Sequence, residues 1–363
     1  MNITFITDPL LTTAGATRPP ALLATELQKS GHNVTLVSLS VSDQVRKSAQ
    51  EKHIHVQSLG SKFYTNFSVP IVEGWAKSLF KSKITLPNSS GDDEVLVNTS
   101  SCIKVKSNLY YAQGPITKAL DDMYMGMPSR YKYVYRLSAP VLKFLEKKTV
   151  NDHANLSDYV IANSKFCASM YEELGVEVND VIPPPLDCDL FMPTTSDPSQ
   201  NYVLTYFGIY NKETKFSVIK QVADSGVKVK AFGSKATGIP KCVMEHPNVQ
   251  FLGSVSNREL VNLYSNALYV LFTFAHEPFG YIPIESMACG TPVLTYNSQG
   301  PSESVIDGVT GWLANSDQEL VVLAARIWRD GYTQKMRKDC IQRASLFDVK
   351  KISEQWIKLF ENI

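Results

Sequence analysis

Residues 268–274, Leu-Tyr-Val-Leu-Phe-Thr-Phe, make a nearly unbroken apolar run of aromatic and branched side chains. A run of this length and character is expected as a strand buried on both faces, which a sheet covered by helices on each side provides. The neighbouring residues supply such helices. After a loop at 275–280, Tyr281 to Ala288 reads as a short helix that Gly290 stops, and Thr291-Pro292-Val293 opens the next strand. The order recurs near the amino end: strand Ile3–Thr7, loop Asp8–Ala16, a helix begun by Pro19-Pro20 and ended by Gly31, then strand Val34–Ser38. Such βαβ units build parallel sheets whose ligands sit at the carboxyl ends of the strands, so the expected class is α/β.

The loop and helix after 268–274 carry two carboxylates, Glu277 and Glu285, eight positions apart. At about 1.5 Å of rise per helical residue they should lie roughly 10 Å apart, with the helix amino end between them. There the N–H groups of Phe279, Gly280 and Tyr281 are expected to form an anion site for a diphosphate, reinforced by the positive end of the helix dipole. Carboxylates would repel phosphate. Their expected partners are the hydroxyls at the two ends of a nucleotide sugar, a ribose diol and a hexose.

With Glu-Pro-Phe-Gly at 277–280 and Glu-Ser-Met-Ala-Cys-Gly-Thr-Pro-Val at 285–293, this E-x7-E spacing resembles retaining glycosyltransferases of family 4, which have the GT-B fold. The resemblance implies two Rossmann-like parallel-sheet domains facing across a cleft. One is an acceptor-side domain at 1–195, to which a last helix at 348–363 crosses back; the other is a nucleotide-sugar domain at 200–347. It further implies that Glu277 holds the donor sugar and Glu285 the nucleotide ribose. The implied reaction moves a hexose, with retention, from a nucleotide-diphosphate sugar to a glycan or lipid-linked acceptor. A donor phosphate oxygen takes the acceptor proton, and neither a cofactor nor a metal is expected. Gly-Pro-Ser-Glu-Ser-Val at 300–305 is similar to mannosyltransferases that extend lipid-linked oligosaccharides.

Other positions match the family unevenly. Gly15 stands where members carry a glycine-bearing loop near the donor diphosphate; the same residue also reads as an ordinary turn glycine. Gln113 occupies a position where many members have a sugar-contacting histidine, and an amide cannot take a proton at neutral pH. After strand Tyr202–Phe207 comes Gly208, a donor-side position, and then Lys215, the expected diphosphate cation. Ile209 and Phe216 replace the family's usual arginine and glycine, and Lys212 is a candidate substitute cation. The prolines of 181–193 indicate an extended interdomain connection. Its Asp187-Cys188-Asp189 has the spacing by which another glycosyltransferase fold holds a divalent cation, but no apolar strand delivers it to a site.

With 363 residues, 44% of them hydrophobic, and a formal charge of +1, the chain fits two domains and lacks the basic stripe of a nucleic-acid binder. Six scattered cysteines give neither a disulfide framework nor zinc-ligand spacing, and His53 and His55 flank Ile54 as on an edge strand. Met1 leads into a strand and no long apolar span follows, so a cytoplasmic protein is expected. The segment 128–148 is distinctive, with six basic side chains and one glutamate. It reads as a helix pair bent at Pro140, with Lys132, Arg136, Lys143 and Lys147 on one face and Val134, Leu137, Val141, Leu142 and Leu145 nearer the core. That basic face, within 130–148, is either a solvated surface or a contact for an anionic membrane. Two rival functions stay open: a glycoside hydrolase using both glutamates, and a catalytically impaired nucleotide-sugar-binding subunit.

Overall fold

The computed structural model describes residues 1–13, 15–61, 70–80, 94–124, 129–196, 198–208, 215–234, 238–274 and 277–363. Ile209, Lys212 and the loop expected at Lys83–Asp93 lie outside the described residues. In chain order the first elements are β1 (Asn2–Thr7), α1 (Arg18–Lys29), β2 (Asn33–Ser38), α2 (Asp43–Glu51), β3 (His55–Ser58) and α3 (Pro70–Ser78). They are followed by β4 (Glu94–Asn98), β5 (Ser107–Ala112), α4 (Ile116–Tyr124), α5 (Ser129–Asn155), β6 (Ser157–Ala162), α6 (Lys165–Glu173) and β7 (Asp180–Val181). The strands pair in parallel in the order β3-β2-β1-β4-β5-β6-β7. Strand order reverses between β1 and β4, so a crevice opens at their carboxyl ends.

The second set comprises β8 (Val203–Tyr206), α7 (Phe216–Asp224), β9 (Val229–Phe232), α8 (Lys241–Met244), β10 (Val249–Gly253), α9 (Asn257–Asn266), β11 (Val270–Leu271) and α10 (Tyr281–Ala288). It ends with β12 (Val293–Tyr296), α11 (Pro301–Ser304), β13 (Gly311–Ala314), α12 (Asp317–Asp330), α13 (Gln334–Ala344) and α14 (Val349–Phe360). Its parallel sheet runs β10-β9-β8-β11-β12-β13, and the order reverses between β8 and β11.

The chain divides into two compact units, one of Met1–Thr117, Ser138–Pro185 and Val349–Ile363, the other of Lys118–Leu137 and Leu186–Asp348. The second unit thus takes in 118–137, which the sequence alone places within 1–195. In the first unit α14 lies against α1 and drives Trp356 into the core, edge-on to Phe5 at 6.5 Å and to Tyr111 at 5.2 Å between ring centres. Val349–Ile363 thus belongs to the first unit.

Local signals act where the sequence places them. Ser256 and Glu259 form the reciprocal capping box of α9, and the Ser164 hydroxyl accepts the Cys167 N–H to start α6. Three expectations need correction. The run Leu268–Phe274 is buried throughout, yet only Val270–Leu271 pairs as strand; Thr205 Oγ donates to the Leu271 carbonyl at 2.8 Å, and the Phe272 N–H still donates to the Leu294 carbonyl at 2.9 Å. Residues 129–155 form one helix that passes through Pro140 rather than a bent pair. Val134, Leu137 and Val141 do not face the core: each is about 60% exposed, whereas Leu142 and Leu145 are half-buried. The core side of α5 is made instead by Tyr135, Glu146, Thr149, Val150 and His153.

Candidate active site

The reversal between β8 and β11 brings the second unit's chemistry together. β8 ends in Tyr206, Phe207 and Gly208, with Tyr206 packed on Phe232 and Phe274 at 5.1 and 5.5 Å between ring centres. β9 ends in Gly233, whose φ of +141° excludes a side chain. A Cβ there would stand 2.8 Å from the Gly208 carbonyl oxygen. The two strand ends are thereby held in backbone contact.

From β11 the chain runs through Glu277, Pro278 and Phe279 to Gly280, which precedes α10 at φ +89°. The N-cap of α10 is Gly280, which has no side chain to cap the helix. Glu285 lies one turn into the helix, buried, and accepts a hydrogen bond from the Tyr264 hydroxyl at 2.9 Å. Glu277 is half-buried; its N–H donates to Gln299 Oε1 at 2.8 Å and its carbonyl accepts the Gly300 N–H at 3.1 Å. Gln299 adopts φ +69°, a conformation uncommon for a residue with a side chain and frequent where a site is held under strain. Gly300 packs so tightly that a Cβ would overlap the Pro278 carbonyl oxygen and Phe279 Cα.

Both glutamates bear electrostatically on one ring. Burial pushes the Tyr206 phenol up, and the charges of Glu277 and then Glu285 push it in the same direction, so both carboxylates lie close enough to act on this hydroxyl. Lys215, at the start of α7, is held otherwise. Its amine pairs with Asp317 at 2.7 Å and sits 4.1 Å above the Tyr296 ring, while the Tyr296 hydroxyl donates to the same carboxylate oxygen at 2.7 Å. Burial raises the Asp317 carboxyl, but these two hydrogen bonds outweigh it and leave the group below its ordinary value.

The first unit has its own crevice, beyond β1 and β4. Asp8 is buried and accepts from Ser100 Oγ at 2.8 Å and from the Ser101 N–H at 3.0 Å. Burial raises its carboxyl despite those donors. Gly15 has φ +59° and open space where a Cβ would point. Gln113 donates its amide nitrogen to the Ala16 carbonyl at 3.0 Å and to the Thr99 carbonyl at 3.1 Å, tying the Gly15 turn to the end of β4. Asp187 accepts the Leu190 N–H at 3.0 Å and closes a turn.

Residues 244–347 match the family model for glycosyl transferases group 1. The chain carries a group 1 glycosyltransferase domain. The matched part of this group 1 domain contains Glu277, α10, Glu285, Gln299 and Gly300 and leaves Gly208 and Lys215 before it. Over 70 residues the chain is 41% identical to the alpha-1,3/1,6-mannosyltransferase ALG2 of Mus musculus, a stretch that is 19% of this chain and 17% of that protein. A longer alignment to ALG2 of Rhizomucor pusillus, 23% identical, covers 91% of this chain and 83% of that one. Among solved structures, Anabaena Alr3699/HepE in complex with UDP aligns over the full length of both chains at 17% identity and a TM-score of 0.69. Sucrose-phosphate synthase from Thermosynechococcus elongatus aligns over 99% and 98% at 17% identity and 0.71. These likenesses are of fold, and the fold is GT-B, built from two Rossmann-like parallel-sheet domains.

Sequence reasoning did not single out Tyr206, Tyr264 and Gln299, which bear on the two glutamates. A run such as Ser298-Gln299-Gly300-Pro301 does signal a tight turn, but only the fold reveals that it carries the Glu277 loop.

Proposed function

We propose that the protein is a retaining glycosyltransferase that moves a hexose, with mannose as first choice, from a nucleotide-diphosphate sugar to a glycan or lipid-linked acceptor. The observation that carries this reading is that Glu277 and Glu285, on either side of the Gly280 N-cap of α10, both bear electrostatically on the Tyr206 hydroxyl. Glu277 holds the sugar hydroxyls, Glu285 the ribose diol, and the peptide N–H groups of Phe279, Gly280 and Tyr281 the diphosphate. The acceptor hydroxyl oxygen bonds to the anomeric carbon on the face the diphosphate leaves. The bond from that carbon to the diphosphate oxygen breaks, and the hydroxyl proton passes to a diphosphate oxygen. ALG2 relatives, named as alpha-1,3/1,6-mannosyltransferases, support mannose. The UDP-bound HepE structure supports a nucleoside diphosphate in this fold.

Turnover of purified protein with UDP-, GDP- and ADP-linked sugars tests the reading. Transfer is expected to persist in EDTA, because this mechanism meets the diphosphate with peptide groups and Lys215. A strict need for magnesium that Asp187→Ala abolishes would instead favour the Asp187-Cys188-Asp189 motif. Lys215→Ala is expected to slow transfer about a hundredfold, and Asp317→Asn, which leaves the amine over Tyr296, by less than about tenfold. An unchanged rate in Lys215→Ala would move the cationic role elsewhere. A second reading, a nucleotide-sugar-binding subunit with impaired catalysis, is favoured by the engagement of Lys215 with Asp317 and of Gln113 with two backbone carbonyls. Nucleotide-sugar binding without turnover on any acceptor would select it.

A further inference from the structure

Helix α5 is apolar on two sides. Its inner side is core, but Tyr133, Leu137, Val141 and Phe144 are 59%, 62%, 59% and 71% exposed. At about 100° per residue these four fall within an arc of about 80°. Lys132, Arg136, Lys143 and Lys147 line one edge of that arc, and Lys148 falls within it. Arg136 leans over the Tyr133 ring at 5.8 Å. The single glutamate of 128–148, Glu146, contributes nothing to this outer surface: it is buried on the inner side and accepts the N–H groups of Ile116 and Thr117, capping α4. Within the segment the outward face is therefore apolar and basic, with no acid to offset it.

We propose that this face of α5 docks on an anionic lipid bilayer, with Leu137, Val141 and Phe144 seated among the acyl chains near the headgroups and the basic edge on lipid phosphates. The charge pattern selects this occupant. A second copy packed face to face would bring one row of cations against another, and a nucleic acid would leave the apolar stripe wet. A bilayer takes both parts at once, as interfacial helices with a cationic flank do. Among the described residues no helix is long and apolar enough to cross a membrane, so contact of this kind would be along the surface. The inference deepens the lipid-linked branch of the proposed acceptor and rests on that reading for its purpose alone, since binding is read without substrate.

Flotation of the full chain with phosphatidylcholine vesicles, and with vesicles one-third phosphatidylglycerol, tests it. Preferential binding to the anionic vesicles at low salt is expected. The combined Leu137→Gln, Val141→Gln and Phe144→Gln variant keeps every charge and should lose binding at least about tenfold. Arg136→Gln with Lys143→Gln and Lys147→Gln should abolish the preference for anionic lipid. Phe144→Trp should add fluorescence that shifts to the blue on vesicles and is quenched by lipids brominated on their acyl chains. Undiminished binding of the apolar variant, an unquenched indole, or failure of the wild type to float with either vesicle would overturn the proposal; concentration-dependent self-association relieved by the same variants would assign the face to a second copy. Each variant is also measured for nucleotide affinity, which should be unchanged. Loss of nucleotide binding in every sample, wild type included, would instead sink the proposed function and leave the docking result standing.

Discussion

Glu277→Gln is expected to lower the rate of sugar transfer by about two to three orders of magnitude while nucleotide affinity stays within about twofold of wild type. The substitution preserves shape and the backbone hydrogen bonds from Glu277 to Gln299 and Gly300, so the loop stays in place. What it removes is one negative charge beside Tyr206, where the donor sugar is proposed to sit. Losing a single group that stabilises the transition state typically costs that much in rate. Steady-state turnover paired with calorimetric titration of the nucleoside diphosphate separates the two effects. A variant transferring at near wild-type rate would remove Glu277 from the site. Glu285 gives a less clean test, because it is buried and bonded to Tyr264, and changing it disturbs the core as well.

Gly300→Ala is expected to have an effect of similar size without touching any group assigned to chemistry. The added methyl would overlap the Pro278 carbonyl oxygen and Phe279 Cα, and the contact is backbone against backbone, so no side chain can rotate aside. The Glu277–Gly280 loop must move outward. A stability loss of about 1–3 kcal/mol is expected from overpacking. Catalysis should fall about a hundredfold, since a displacement near an ångström is enough for that. Gly308→Ala serves as a contrast: that glycine has a positive φ, unlike Gly300 at −55°, but nothing lies within 4 Å of its Cβ position, so it strains the backbone without displacing the Glu277 loop. Thermal unfolding together with initial rates decides the matter. Full activity in Gly300→Ala would mean that the loop adapts and that its position is not set by the 299–301 turn.

Much of this was legible in residues that act locally. The capping box of Ser256 and Glu259, the span of α10 and the Gly290 stop depend on neighbours a few positions away, and the chain folds as they dictate. What eluded the sequence depends on distant partners. The apolar run 268–274 signals burial correctly, but how far pairing extends depends on the neighbouring strands β8 and β12, which no local pattern records. In α5 the residues at helical spacing gave two apolar stripes, and periodicity cannot say which one meets the core. Pro140 argued for a break, and tertiary packing carried the helix through it. Lys215 was recognised by its place in a motif, whereas its ion pair with Asp317 joins residues of different βα units.

The place of Trp356 also bears on how the chain folds. The first sheet is made from early residues, yet its core closes only when a helix from the far end arrives to set that indole against Phe5 and Tyr111. Contacts between positions so far apart are slow to form, because a long loop must close before they stabilise anything. During synthesis the amino-terminal sheet therefore waits with an open hydrophobic seam while most of the second unit is made. The unit that is translated first is the one completed last, and for that interval the nascent chain is a natural client for chaperones.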